Sequence, residues 1–307
     1  MAEPHVEEVI QGHAETAQDV DLALTPDEEA FLLGATGLPD ASALRAHILR
    51  VQSDAAEVFP YPCIRRFDFV KLKISNLPCY DRLLSLPQQH PDALLLDIGC
   101  CFGTDIRKAI ADGFPAHNII GSDLRPEFWD IGHKLFQTDP GTFPVTFLAG
   151  DVLAPSFTGY DPICSSTPAT QAPALKSLAT LAPLAGRVHA VHASNFFHLF
   201  SEANQAAVAR TLGALLAPVR GAMLFGTHVG RPVMGFRTEA PPPAPGYLGN
   251  RMFCHDAQSW AALWDGEVFE KGTVKVEAKV VEQSRDDLVV LQPGVTFYQL
   301  IWCVTRL

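Results

Sequence analysis

Positive charge is scarce in this chain of 307 residues: 23 lysines and arginines stand against 34 aspartates and glutamates, a formal net charge of −11. That balance argues against a protein whose main task is to grip phosphate backbones, so no nucleic-acid partner is expected. Also lacking is any apolar run near the roughly 18–20 residues that a membrane helix needs, and no membrane partner is expected either. The opening stretch, MAEPHVEEVIQGHAET, does not show the basic-then-apolar order of a secretory signal. The seven cysteines (63, 79, 100, 101, 164, 254 and 303) form no spacing that resembles a disulfide framework. A reducing cytoplasm is the expected setting. What the chain does have is apolar residues, 48% of the total, enough to bury a substantial core.

Residues 1–24 are acidic and without clear periodicity, and are expected to be partly mobile. Thr25-Pro26-Asp27-Glu28 has capping-box spacing with proline at the first helical position. A second helix opens at Pro39-Asp40-Ala41, with Leu44, Ile48 and Val51 at helical spacing. Residues 25–90 therefore read as a helical unit, either an appendage packed on a core or a lid over a ligand. Within it, FPYPCIRRFDFVKLKISNLP (59–78) follows neither period.

From about residue 91 apolar strands alternate with helical patterns. LLLDI (94–98), NIIGSD (118–123), VTFLAGD (145–151), RVHAVHAS (187–194) and GAMLFGTHVG (221–230) read as strands. Such alternation indicates a parallel sheet with helices on both faces. PPPAPG (241–246) must be loop, inside a substrate-side segment spanning 231–255. FCHDAQSWAALWD (253–265) reads as a helix start. TVKVEAKVVEQ (273–283) and VTFYQLIWCVTRL (295–307) suggest an antiparallel pair at a sheet edge.

In open parallel sheets ligands sit beyond the carboxyl ends of the strands. The first such end is Asp97-Ile98-Gly99-Cys100-Cys101-Phe102-Gly103, whose glycines permit a tight turn and close ligand approach. Asp123 ends the next strand, about 20 residues on, where an acid suits ribose hydroxyls. Asp151 ends the third, where an acid can accept from an adenine amino group. Each acid alone is as well explained as a cap or solvated turn; three at successive strand ends form a less accidental set. Two ligands fit the pattern, a dinucleotide or S-adenosylmethionine. The latter has no phosphate but carries a sulfonium and an amine, which Asp97 suits electrostatically.

DIGCCFGTD, with GSD, AGD, FPYPCIRRFDFVKLKI, SNFFHLF (194–200) and FCHDAQSWAALW, resembles the class I S-adenosylmethionine-dependent methyltransferases. The resemblance is to the fungal secondary-metabolite group of meroterpenoid, austinol-type biosynthesis, and covers most of the chain after residue 25. It implies an α/β fold with a Rossmann-like seven-stranded sheet, a terminal antiparallel strand pair and an N-terminal helical lid. It implies S-adenosylmethionine as cofactor, held by Asp97, Gly99, Cys101 and Gly103 at the methionine half and Asp123 and Leu124 at the ribose. Asp151 and Val152 would flank the adenine, with Ser194 and Asn195 beside the sulfonium and the acceptor. Cys101 stands where the superfamily commonly has glycine, so its backbone is expected to avoid glycine-type conformations.

The implied activity is O-methylation of a carboxyl or hydroxyl group on an apolar metabolite. For a hydroxyl acceptor a histidine base is useful, and His198, His228 and His255 are the candidates, His198 first. Phe196, Phe197, Phe200 and Trp260 are candidates for a substrate pocket, although aromatics at helical spacing are more often core. His189 and His192 lie three apart on a strand, face opposite ways and cannot share a metal, so no metal site is expected. Thiol catalysis by Cys100 or Cys101 lacks a partner base. The alternatives are an NAD-type oxidoreductase and a catalytically silent scaffold of the same fold. The oligomer to consider is a homodimer.

Overall fold

The computed structural model describes residues 21–159, 163–166, 168–169, 173–237, 252–283 and 296–307. Most of the segment expected to be mobile, and PPPAPG, lie outside these residues. Where the N-terminal segment enters the described structure it is packed: Leu22 is buried and its carbonyl accepts from Arg45 at 2.8 Å.

Helix α1 (Pro26–Thr36) opens with the anticipated capping box between Thr25 and Glu28 and stops at left-handed Gly37. Helix α2 (Ala41–Val58) starts where the Asp40 carboxylate accepts from Ala43 N–H at 2.8 Å. Its buried stripe is Leu44, Ile48, Val51 and Ala55. The proline-rich segment becomes α3 (Pro62–Arg65) and two single 3-10 turns at 68–70 and 74–76, which explains why neither period fits it. Helix α4 is Tyr80–Gln89.

The sheet then builds through β1 (Leu95–Ile98), α5 (Thr104–Ala111), β2 (Ile119–Asp123), α6 (Pro126–Leu135), β3 (Thr146–Ala149), the short α7 (Pro155–Thr158) and β4 (Ala190–Ser194). Next come α8 (Glu202–Leu215), β5 (Met223–Val229), the small hairpin β6 (Gly235–Phe236) and β7 (Phe253–Cys254), α9 (Ala257–Trp264), β8 (Val274–Gln283) and β9 (Phe297–Arg306). Phe253 and Cys254 are thus strand rather than helix, because the helix cap is set later by Asp256, whose carboxylate accepts from Ser259 N–H.

Seven strands form one sheet in the order β3-β2-β1-β4-β5-β9-β8. The neighbours from β3 to β5 pair parallel, and β9 runs against both β5 and β8, giving the expected antiparallel end. The fold is α/β and Rossmann-like, with the expected seven-stranded sheet. The chain winds outward from β1 to β3, then crosses back to lay β4 on the other side of β1. That reversal opens a crevice at the carboxyl ends of β1 and β4.

Strand alternation divides two cores. Leu96, Ile98, Val191, Ala193 and Leu224 face α8 and α9; Leu95, Ala190, Met223 and Phe225 face α4 and α5. A third cluster joins the α2 stripe to Phe128, Ile131 and Leu135 of α6 and to Phe102 in the loop after β1. Each fully buried Leu or Ile there contributes roughly 1.5–3 kcal/mol.

Candidate active site

The loop after β1 is left-handed at alternate residues: Gly99 (φ 70), Cys101 (φ 51) and Gly103 (φ 69). Cys101 therefore adopts the conformation it was expected to avoid. A non-glycine residue there costs roughly 1–2 kcal/mol. What holds it is the Asp123 carboxylate, whose Oδ2 accepts from Cys101 N–H at 2.8 Å while Oδ1 accepts from Arg125 N–H at 3.1 Å. Burial raises the Asp123 pKa, and those backbone donors oppose the rise. Gly99 and Cys100 N–H both donate to the Ser122 carbonyl, at 2.8 and 3.1 Å.

Two further contacts fix this loop from behind. A Cβ on Gly132 of α6 would lie 2.3 Å from the Phe102 carbonyl oxygen, so only glycine lets the helix approach. Arg107 of α5 donates to the Phe102 and Gly103 carbonyls at 2.9 and 3.3 Å, with its guanidinium between the Phe136 and Phe143 rings. Burial lowers its pKa to about 9. In front, a Cβ on Gly99 would meet Phe196 Cδ2 at 2.7 Å.

At the crevice, Asp97 and His192 sit opposite each other in the β1–β4 register. His192 Nδ1 lies 2.7 Å from Asp97 Oδ1, and its Nε2 lies 2.7 Å from Ser194 Oγ, making an acid–imidazole–hydroxyl chain. Asp97 and His192 are buried. Burial raises the Asp97 carboxyl pKa against the pull of His192. For His192 burial disfavours the charged ring, but the Asp97 charge and hydrogen bond prevail and its pKa is raised. The chain borders a small pocket, partly open to solvent. Gly99, Cys100, Cys101 and Phe102 line it from the loop, Thr104 and Asp105 from α5, and Phe69 and Lys73 from the N-terminal segment. Asp105 Oδ1 accepts from the N–H groups of Lys73 and Ile74, both at 2.9 Å.

The structure thus gathers Asp97, Gly99, Cys101 and Ser194 on the pocket wall, with Asp123 tied to that loop by hydrogen bond and Gly103 closing it. Asn195, left-handed at φ 54, follows Ser194 and donates from its N–H to the Thr227 carbonyl at 2.6 Å. Further along the same edge Gly150 N–H donates to the Asp123 carbonyl at 3.0 Å. Beyond it Asp151 is exposed and accepts from Leu153 N–H at 2.9 Å, while Val152 is buried and Leu124 is 56% exposed. These three do not line the pocket.

The three candidate histidines come together elsewhere. His228 lies on the sheet face opposite Ser194, ringed by Phe197, Trp260 and Trp302. Trp302 Nε1 donates to its Nδ1 at 3.0 Å; burial, then His198 and His255, push its pKa well down. His255 shares a hydrogen bond with Ser259 Oγ at 2.9 Å, and burial lowers its pKa to about 4. His198 lies half-buried in a 3-10 turn at 197–199. Phe197 and Trp260 are core residues, whereas Phe196 and Phe200 are half-buried beside the loop. Burial raises the pKa of both Cys100 and Cys101, which keeps them thiols. Among the described residues no cluster of His, Cys, Asp or Glu is arranged to hold a metal.

Sequence reasoning missed His192, Lys73, Asp105 and Arg107. Asp97 carried the signal for a partner, since an acid inside an apolar strand must be neutralised or paired.

Comparisons with known proteins converge. The family described as meroterpenoid methyltransferase N-terminal domain matches residues 16–70. An O-methyltransferase of Stereocaulon alpinum is 32% identical over 77% of this chain, which spans 61% of that protein's length. The asnovolin E/chermesin D methyltransferase of Aspergillus novofumigatus is 30% identical over 85% of this chain and 82% of its own length. A methyltransferase of Aspergillus calidoustus is 30% identical over 93% of this chain and 91% of its own.

Proposed function

This chain belongs to the family of fungal methyltransferases that those relatives represent, and we propose that it transfers a methyl group from S-adenosylmethionine to an oxygen, carboxyl or hydroxyl, of an apolar secondary metabolite. The observation that carries the reading is the charge around the loop after β1. Asp97, Asp105 and Asp123 surround the start of α5, where a dinucleotide would have to place its pyrophosphate. Three carboxylates there oppose the clustered negative charge of a pyrophosphate and favour a ligand that carries positive charge of its own. When bound, S-adenosylmethionine supplies a methyl group on a sulfonium and brings no phosphate.

Asp97, Gly99, Cys101 and Gly103 hold the methionine half in this reading, Asp123 and Leu124 the ribose, and Asp151 and Val152 the adenine. Ser194 and Asn195 stand beside the acceptor. The chain's own work is alignment and exclusion of water, which is most of what an ionised carboxylate acceptor requires. For a hydroxyl acceptor, Ser194 Oγ and His192 Nε2 offer the proton a path, with Asp97 stabilising the imidazolium. His198, His228 and His255 are second choices for a base, because their shared aromatic surround lies off the pocket. Residues 25–90 serve as the lid, since Phe69 and Lys73 already form one wall. The partner is a small molecule, the setting the cytoplasm, and the oligomer to test for is a homodimer.

Calorimetry with S-adenosylhomocysteine and NAD tests the assignment. Binding of the former alone is expected, weakened by at least about tenfold in Asp123→Ala, the size of a lost charged hydrogen bond. Affinity for NAD, or unchanged affinity in both Asp123→Ala and Asp151→Ala, sinks it.

A further inference from the structure

We infer that Lys73 is an anion anchor inside the pocket and takes the carboxylate of the cofactor's amino-acid part; this rests on the methyltransferase reading above. Lys73 stands outside the sheet, at the start of the 3-10 turn 74–76, yet it lines the crevice at the β1–β4 reversal. It is placed there by the sheet side of the molecule. The first turn of α5 sends Asp105 back to accept the N–H groups of residues 73 and 74, which fixes the backbone from which Lys73 projects.

The ammonium is underused. It donates to the Asp68 carbonyl at 2.6 Å, and among the described residues no carboxylate lies at ion-pair distance from its Nζ. An ammonium has three donors, so a single carbonyl leaves two of them unanswered. The surrounding acids are committed elsewhere: Asp97 to His192, Asp105 to two backbone N–H groups, and Asp68 to Arg66 at 3.4 Å. Burial works against the Lys73 charge, but the fields of Asp105 and Asp68 outweigh it, so the side chain stays cationic.

A cation with spare donors, facing a buried acid across one small pocket, is complementary to an α-amino acid zwitterion. Asp97, which meets His192 through Oδ1, serves the amine with its other oxygen, and Lys73 serves the carboxylate. A carboxylate on the methyl acceptor is the other anion that this chemistry would accept, and a ligand pair that differs in one group separates the two.

Calorimetry on the full chain would compare S-adenosylhomocysteine with its decarboxylated counterpart, S-adenosyl-3-thiopropylamine. The wild-type protein is expected to bind the first at least about tenfold more tightly, a difference of about 1.4 kcal/mol. Lys73→Met should remove that preference, weakening S-adenosylhomocysteine about tenfold and the decarboxylated ligand less than about twofold, with Lys73→Arg retaining part of it. A wild-type protein indifferent to the carboxylate overturns the inference without reference to any variant. So does a Lys73→Met protein that weakens both ligands equally, the mark of a structural role, or one that weakens neither, which leaves the acceptor's carboxylate as the anion. Absence of binding to either ligand by the wild type overturns the methyltransferase reading itself.

Discussion

Asp97 Oδ1 and His192 Nδ1 lie 2.7 Å apart, and the two residues stand directly opposite each other on neighbouring parallel strands. Removing one partner leaves the other as an unpaired buried group. His192→Gln should therefore cost about 3–5 kcal/mol in urea unfolding, and the Asp97→Asn/His192→Gln double variant distinctly less.

The pH dependence of that difference has a definite sign. Both folded-state pKa values are raised above their ordinary values. The Asp97 contribution is then full below about pH 3.8 and fades as pH climbs through its folded value; that of His192 is full below about pH 6.5 and fades above it. Wild-type stability relative to the double variant should fall with rising pH, its last portion disappearing above pH 6.5. A relative stability that rises with pH above about 6.5 would contradict the pairing.

Methyl-transfer rates should separate the histidines. His255 is already neutral across the working range, its pKa held near 4, so His255→Gln should leave the shape of the pH–rate profile between pH 5 and 8 unaltered. His192→Gln should flatten whatever inflection the wild type shows in that range, in rapid single-turnover assays.

The left-handed backbone at Cys101 predicts an order within a pair of variants that both lack the thiol. Cys101→Gly should be more stable than Cys101→Ala by about 1 kcal/mol, because only glycine occupies φ 51 without penalty. Differential scanning calorimetry would register this as roughly 2 °C. Equal melting temperatures would mean that the loop relaxes.

Gly132→Ala should push α6 off the Phe102 carbonyl, costing about 1–3 kcal/mol and loosening cofactor binding together. Gly34→Ala in α1, where no atom lies within 4 Å of the new methyl group, is the control and should gain up to about 1 kcal/mol. Matching losses in both would undo the close-approach argument.

Strands were legible because central parallel strands are mostly apolar, as LLLDI is apart from its acid, and helices because Thr25 and Asp40 carry their caps in the local sequence. The strand-end acids were legible for the same reason: each breaks an apolar run. The pairing of Asp97 with His192 was not, since it depends on which strand returns to β1, and 95 residues separate the two. Lys73 was hidden in a segment of single turns whose spacing follows no period. The conformation of Cys101 was misjudged from side-chain type alone; the Asp123 carboxylate that enforces it lies 22 residues downstream. Nothing near Gly132 in the sequence signals the Phe102 carbonyl that lies against it, since that contact is made across two elements.

The separation of 95 residues between Asp97 and its imidazole also governs biosynthesis. On the ribosome, at about 5–20 residues per second, the central strand emerges roughly 5–20 s before its partner exists. During that interval the carboxylate of Asp97 must stay hydrated, so β1 cannot dry against its neighbours until β4 has emerged.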